Sequence, residues 1–421
     1  MVELLAPARD LTCLKTAINY GADAVYCGLK ELNMRFTVKN FNRDELKEGI
    51  KFAHENNKKV YLCTNTVVYE NDLKKLNDIF DFANSSEVDA VIVSDLGAME
   101  LAKEYGLRIH ASVQTNITNS LTAKFYSKFA KRIILSRELT LNQIKDIRNN
   151  LKNNNENDNG KYNNNYYNLE LEGFIHGALC VALSGRCFLS SYLFNRNANC
   201  GDCLQPCRRK WKLINEHNDG THELICEGKY LLSPKDICTI EHVPELMEAL
   251  DSFKIEGRAK NADYVMRTTK TYRDAINSVI DGTYDEKIPY FKRELQKIYN
   301  REYDTGFYFR DLTTNHDFQH EKEGNLSPYT KIEIGTVVNF YKKPMVAEIK
   351  LIGDLKIGDN VLIIGNKTGC VEETISSIQI NSNPKDIGQK GQNIGVKLNN
   401  IVRERDKVFI LKEKEIVNKE N

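Results

Sequence analysis

Eight short apolar, β-branched runs constrain the fold of this chain more than any other feature of its sequence. They are Val2–Ala6, Ala24–Gly28, Lys59–Thr64, Ala90–Ser94, Arg108–Val113, Arg132–Ser136, Glu170–Ile175 and Ser252–Glu256. Between them lie stretches such as Arg43–Asn56 and Glu70–Asn84, whose apolar residues recur at helical spacing. Eight strand–helix units over roughly 280 residues match the size of a (β/α)8, TIM-like barrel of the α/β class. An open doubly wound sheet shares the periodicity, and the count of eight favours closure. In such a barrel the functional side chains belong at the carboxyl ends of the strands. Polar residues collect there: Asn65, Thr66, Asp95, Gln114, Asn116, Arg137, Glu138, His176, Glu256 and Arg258. Singly, each reads equally well as a loop cap or a surface residue. Together they read as a polar mouth.

The texture changes after about residue 330. Short strand-like runs separated by Gly and Asn turns follow, among them KIEIGTVVNF, MVAEIKLI, LKIGDNVLIIG and DKVFILK, and they read as a small antiparallel β-barrel. The phrase LKIGDNVLIIG with the later GQNIGVKL resembles the second domain of elongation factor Tu. The expected division is therefore a catalytic barrel over 1–283, with a cysteine-bearing region at 177–240. A connecting segment over 284–330 and the small barrel over 331–415 complete it. Asn149–Asn168, rich in Asn and poor in apolar residues, reads as a solvated loop insertion. The formal net charge of +1 names no partner by itself, although a local basic patch remains open to RNA. No apolar run reaches membrane-spanning length, and MVELLAPARD lacks a signal-peptide pattern. The expectation is a cytoplasmic protein without membrane insertion.

Seven of the 11 cysteines fall between Cys180 and Cys238, inside the long excursion between the seventh and eighth strands. Such crowding in a reducing compartment points to thiolates around a soft metal rather than to disulfides. The spacing Cys180-x6-Cys187, x15 to Cys203 and x22 to Cys226 is not that of a zinc ribbon. Cys200, Cys203 and Cys207 could supply three local zinc ligands, whereas iron–sulfur clusters tolerate irregular loops, so the spacing leaves the metal open. Cys13, Cys27 and Cys63 sit in regular barrel segments and read as core thiols, and Cys370 lies in the small barrel. The run CRRKWK places Arg208, Arg209, Lys210 and Lys212 beside Trp211, a combination suited to phosphates and bases. Solvated charge explains the same run without RNA.

The stretch Glu172–Ser190, EGFIHGALCVALSGRCFLS, resembles the signature of the collagenase-like peptidase family U32, through Glu172, Phe174, Gly177–Cys180, Ser184–Cys187 and Ser190. The resemblance extends to ELLAPA, GADAVYCGL, NANCGDCLQPCRRKW, LLSPKDIC, SFKIEGRAKNADYV and TGFY, covering residues 1 to about 310. Despite the family name, the resemblance implies an iron–sulfur protein for oxygen-independent hydroxylation. One branch acts on the wobble uridine of tRNA with prephenate as implied oxygen source; others act on ribosomal RNA cytidine or the ubiquinone ring. The ligand pattern of the ubiquinone branch, carried over, assigns Cys180, Cys187, Cys203 and Cys226 to one 4Fe–4S cluster, with Cys207 and Cys238 as alternatives. Arg186 would tune that cluster or bind substrate. His176 is the candidate general acid/base, and Glu256 with Arg258 would meet an anionic co-substrate or an RNA phosphate. The resemblance also allows a partner subunit of the same family. A peptidase is the main alternative, although the sequence carries no HExxH motif and no convincing Ser–His–Asp or Cys–His grouping. A noncatalytic, metal-pinned RNA-binding protein is the other.

Overall fold

Alternation along short strands sorts side chains onto the two sides of a closed sheet. The structure is a computed structural model of the 421-residue chain and describes residues 2–152, 168–213, 226–310, 319–320 and 324–414. Strands β1 (Glu3–Pro7), β2 (Ala24–Cys27), β3 (Lys59–Thr64), β4 (Ala90–Val93), β5 (Ile109–Ala111), β6 (Arg132–Ile134), β7 (Glu170–Ala178) and β8 (Ser252–Ile255) pair in parallel, in sequence order. Because β8 pairs with both β7 and β1, the ring closes, and the TIM-like barrel expected from the eight runs is the observed fold. Leu5, Tyr26, Tyr61, Ile92, Ile134 and Phe174 form the inner cluster, while their neighbours Leu4, Val25, Leu62, Val91 and Ile133 join the cluster shared with the surrounding helices.

Charge lies buried inside the ring. Arg132 of β6 contacts Glu3 of β1, Glu170 of β7 at 2.6 Å and Glu172 of β7 at 3.2 Å, and Lys254 of β8 reaches Glu172 at 2.9 Å. Glu172 is wholly inaccessible, and two cations satisfy its carboxylate. Helix starts absorb some of the polar residues of the mouth. Asp95 accepts from the Ala98 amide and Asp10 from the Cys13 amide, so both serve as N-caps.

After β7 the chain leaves the barrel through a short helix, Leu189–Phe194, two tight turns, and strands Trp211–Leu213 and Cys226–Pro234. It returns as Asp236–Cys238, antiparallel to the end of β7, with Asp236 opposite Ala178 and Cys238 opposite His176. Tyr303–Asp304 then adds to Asp236–Cys238. The excursion is seated on the mouth by Gly201. Its φ is +90°, and a Cβ there would stand 2.2 Å from the Asn33 carbonyl oxygen in the loop after β2. The start of the Asn-rich segment, 149–152, closes the helix Leu141–Lys152 rather than opening a loop, because Leu151 is buried against the barrel. Residues 153–167 of that segment lie outside the described residues.

The C-terminal part is an antiparallel sheet built from β9 (Tyr329–Tyr341), β10 (Val346–Leu351), β11 (Asn360–Gly365), β12 (Gly369–Thr374), β13 (Asn393–Lys397) and β14 (Lys407–Glu413). Strands Ile378–Ile380 and Asn383–Lys385 extend it to eight, around a core that includes Ile349, Val361, Val396 and Val408. Leu362 and Cys370 pack instead into the barrel's own core cluster, so the two units share apolar contact. Arg267 reinforces the junction by bridging Glu294 and Glu372, and Lys331 pairs with Asp263 at 2.8 Å. Among the described residues no helix is long and apolar enough to cross a membrane.

Candidate functional site

Two adjoining cavities open at the carboxyl ends of the barrel strands. Tyr26, Asn65, Phe174, Lys254, Glu256 and Arg258 line the inner one. Cys180, Ser184, Cys187, Cys203, Cys207 and Arg208 line the outer one. Met34, Arg35, Gln114 and Arg137 line both and form their common wall.

The inner cavity is cationic and tightly braced. Arg258 donates through Nη2 to Asn33 Oδ1 at 2.9 Å and Asn40 Oδ1 at 2.6 Å, while its Nε is buried without a partner. Gly28 makes room for it, since a Cβ there would stand 2.5 Å from Nη2. Glu256 faces Arg35 at 3.5 Å rather than Arg258. Burial opposes the Arg35 charge, but Glu256 and the thiols Cys203 and Cys180 outweigh it and raise the guanidinium above its ordinary value. Lys254 sits 4.3 Å from the centre of the Tyr26 ring and is tied to Glu172. A small anion entering here would meet three arginines and a lysine, with Glu256 the one carboxylate among the lining residues.

The outer cavity is lined by four thiols of the excursion, Cys180, Cys187, Cys203 and Cys207. Burial comes first and the neighbouring thiols add to it, so Cys187 lies above its ordinary value. Cys207 is pushed up to about 11 by burial, against the opposing pull of Arg208. Asn199 accepts from the Cys187 amide at 2.9 Å, and the Ser190 hydroxyl points at Cys203 Sγ at 4.0 Å. Arg208 donates to the carbonyls of Leu179 and Pro234 and to Ser233 Oγ, pinning both ends of the excursion. Arg137 donates to Ser184 Oγ at 2.7 Å and to the Ala178 carbonyl at 3.0 Å, so the signature loop hangs on the common wall. The described residues hold no group of three or more His, Cys, Asp or Glu at metal-ligating separation. The thiols share a cavity without being drawn to a single point.

Glu256, Arg258, Cys180, Cys187, Cys203, Cys207 and Arg208 thus come together. Other candidates stand apart. His176 is buried among Tyr264, Tyr272 and Tyr303, lines neither cavity, and is held neutral by burial, its pKa falling to about 3. Cys238 receives the Tyr272 hydroxyl at 3.8 Å, away from the thiol cavity, and Cys200 turns toward Tyr69. The Cys226 side chain lies outside the described residues. Arg186 is exposed and lines neither cavity. Arg209 stacks on Phe194 at 4.5 Å, Lys210 lies 5.9 Å from the Tyr230 ring centre, and Trp211 Nε1 donates to the Pro206 carbonyl at 3.0 Å.

Arg35 and Lys254 were missed by motif reading. A lysine in the middle of the buried run SFKI was the available signal, because a charge in such a strand needs a partner. Arg35 offered none, being one polar residue in a loop of many.

The model of peptidase family U32 matches residues 9–317, which span the barrel and the whole cysteine excursion. This chain belongs to peptidase family U32. An uncharacterized protease of Methanocaldococcus jannaschii is 75% identical over 98% of this chain and 99% of its own length. A relative from Porphyromonas gingivalis named collagenase is 34% identical over 97% of each chain. The tRNA hydroxylation protein P of Helicobacter pylori is 36% identical, covering 73% of this chain and 72% of its own. The U32 signature Glu172–Ser190 therefore runs from the buried ion pair under the barrel mouth to the thiol cavity above it.

Proposed function

We propose that this chain is an RNA-hydroxylating iron–sulfur enzyme acting on the wobble uridine of tRNA, with prephenate as the oxygen source. The observation that carries the reading is that Cys180, Cys187, Cys203 and Cys207 line one cavity, which shares a wall with a cationic pocket. Four thiols, amide and hydroxyl donors and adjacent arginines are the surroundings that suit an iron–sulfur cluster. Bound there, such a group would supply electron transfer or a Lewis-acid iron. Cys180, Cys187 and Cys203 would hold it, with Cys207 as the fourth ligand that the cavity favours over Cys238. Arg35, Arg137 and Arg258 would orient a carboxylate co-substrate such as prephenate, and Lys254 would close the pocket's floor. Relatives named tRNA hydroxylation protein P support the choice of substrate.

The test is anaerobic purification with iron and sulfide analysis, then mass spectrometry of nucleosides from tRNA incubated with the enzyme and prephenate. Stoichiometric iron and sulfide are expected, lost in Cys187→Ala and in Cys207→Ala. Full iron in Cys207→Ala and loss in Cys226→Ala would move the fourth ligand to Cys226. Zinc alone, or no metal in a folded protein, would end the cluster reading.

The names of two relatives keep peptidase activity as a second reading. A cysteine or serine protease needs a base beside its nucleophile, and no histidine lines either cavity. Proteolysis would survive removal of iron; hydroxylation would not.

A further inference from the structure

The appended sheet carries positive charge that neither cavity uses. A cleft of about 760 Å³ runs between the β11–β12 hairpin, the β9–β10 turn and the loop before β14. Five cations and two carboxylates line it, in a chain whose formal net charge is only +1. Lys342, Lys367, Arg403 and Arg405 are exposed, and none forms an ion pair with a carboxylate among the described residues.

The two carboxylates do little to cancel this charge. Asp406 is buried and accepts from the Arg403 amide at 2.8 Å and from the Thr368 hydroxyl. It locks the arginine loop onto the hairpin so closely that a Cβ on Gly365 would stand 1.7 Å from its Oδ1. Arg405 is left-handed, with φ of 71°, and its amide is fixed to the Val337 carbonyl at 2.8 Å. Glu404 is the one exposed acid of the lining. The loop is therefore rigid at its base while its cations stay exposed, Arg403 resting one nitrogen on the Val402 carbonyl at 3.2 Å.

The cleft does not end on the sheet. Ile364, Gly365, Asn366 and Lys407 also line a second hollow, whose other wall includes Arg9, Thr12, Lys39 and Asn261. Arg9, Lys39 and Asn261 lie in the loops that follow β1, β2 and β8, at the carboxyl end of the barrel, and Thr12 lies in the first turn of the helix Leu11–Asn19 after β1. Thr12 donates to Asn366 Oδ1 at 3.0 Å and ties the hairpin to that rim. The loop bearing Lys39 also carries Arg35, in the wall of the catalytic cavity, and Asn40, which holds Arg258.

We propose that this continuous cleft is a track for the RNA phosphodiester backbone, leading a strand from the appended sheet over the Arg35–Asn40 loop into the barrel mouth. The proposal rests on the RNA reading above and deepens it by saying where RNA lies. Spaced, hydrated cations on a rigid loop suit phosphates, which position a nucleic acid without reading its sequence. Phe340, half-buried against the sheet's core, lines the same cleft and is the aromatic side chain an unstacked base would meet there.

The experiment measures binding of a tRNA transcript to the full-length holoprotein by fluorescence anisotropy, across a salt series. The test variant carries Lys342→Glu, Lys367→Glu, Arg403→Glu and Arg405→Glu. Its control carries four Lys→Glu changes at Lys51, Lys74, Lys103 and Lys131, all exposed and outside the cleft. The cleft variant should lose more than tenfold in affinity, with the salt slope falling by roughly one per lost contact. The control should stay within about threefold. A double variant, Lys367→Glu with Arg405→Glu, should fall between them and guards against misfolding of the fourfold change. Equal affinity of cleft variant and control overturns the track, as does tighter cleft-dependent binding of polyglutamate or phosphatidylserine vesicles than of tRNA. If the cleft variant loses tRNA while the wild type never hydroxylates it, the track stands and the enzymatic reading falls. If the wild type hydroxylates tRNA and the cleft variant binds normally, the enzymatic reading stands and the track falls.

Discussion

At the scale of single residues, surroundings fix the reach of one side chain and the charge state of another. Arg137 shows the first. One guanidinium reaches Ser184 and the Ala178 carbonyl and stands 5.4 Å from the centre of the Phe174 ring, so a lysine could not replace its fork. His176 shows the second. Burial and the nearby Lys260 keep its imidazole neutral, with a pKa of about 3, and its Nε2 is buried without a partner. A folded-state pKa below the ordinary 6.5 means that its contribution to stability is complete above pH 6.5. That contribution is lost as pH falls toward 3, where the buried ring must charge. His176→Leu should therefore lose less stability than the wild type between pH 6.5 and 4. The difference should approach about 1.4 kcal/mol per pH unit. Urea unfolding of both proteins at pH 7, 5.5 and 4 measures it; parallel pH profiles would show that His176 is open to solvent and able to exchange protons.

At the scale of elements, the cysteine excursion is held by the Arg137 and Arg208 side chains and by one close backbone approach. Gly201 lies against the Asn33 carbonyl in a left-handed conformation that costs other residues about 1–2 kcal/mol. Gly201→Ala adds a methyl where only 2.2 Å is available, so the turn carrying Cys200 and Cys203 must lift from the loop after β2. On the proposed iron–sulfur reading, the expected outcome is a barrel with unchanged far-ultraviolet circular dichroism that retains less than half the wild-type iron. Full retention would mean that the thiols are placed without this seat. The contrast between local pattern and long-range contact explains what could be read from sequence. Strand alternation in runs such as AVYC and AVIV is local, so all eight barrel strands were legible before any contact was known. The resemblance grouped Cys180, Cys187, Cys203 and Cys226, with Cys207 and Cys238 as alternatives, and of these Cys180, Cys187 and Cys203 share a cavity with Cys207. The separation of Cys207 from Cys238 was not legible, because it depends on Asp236–Cys238 turning back antiparallel to β7, which carries Cys238 away to Tyr272. Arg35 was equally hidden, since only the closed ring brings the loop after β2 against Glu256 after β8.

At the scale of the whole molecule, the junction between the barrel and the appended sheet decides whether the proposed track and the mouth work as one site. Cys370 and Leu362 pack into the barrel core, Arg267 spans the boundary between Glu294 and Glu372, and Gly369 lies against the helix after β1. Gly369 has φ of +79°, and a Cβ there would stand 2.9 Å from Thr16 Oγ1. A β-branched residue at that position must strain the hairpin or push the sheet from the barrel. Gly369→Val leaves every cation of the cleft on the sheet, so affinity for tRNA should stay within about threefold of the wild type. On the proposed hydroxylase reading, turnover depends on register between the track and the mouth, where a shift of about 1 Å can cost up to roughly 100-fold. Hydroxylation of tRNA should therefore fall far more than binding, read by anisotropy and nucleoside mass spectrometry on the same preparation. If both fall together, the sheet contributes affinity alone; if neither falls, the junction tolerates motion and the strand finds the mouth without it. Only a loss of turnover at nearly constant affinity makes the appended sheet a positioning device for the barrel's chemistry.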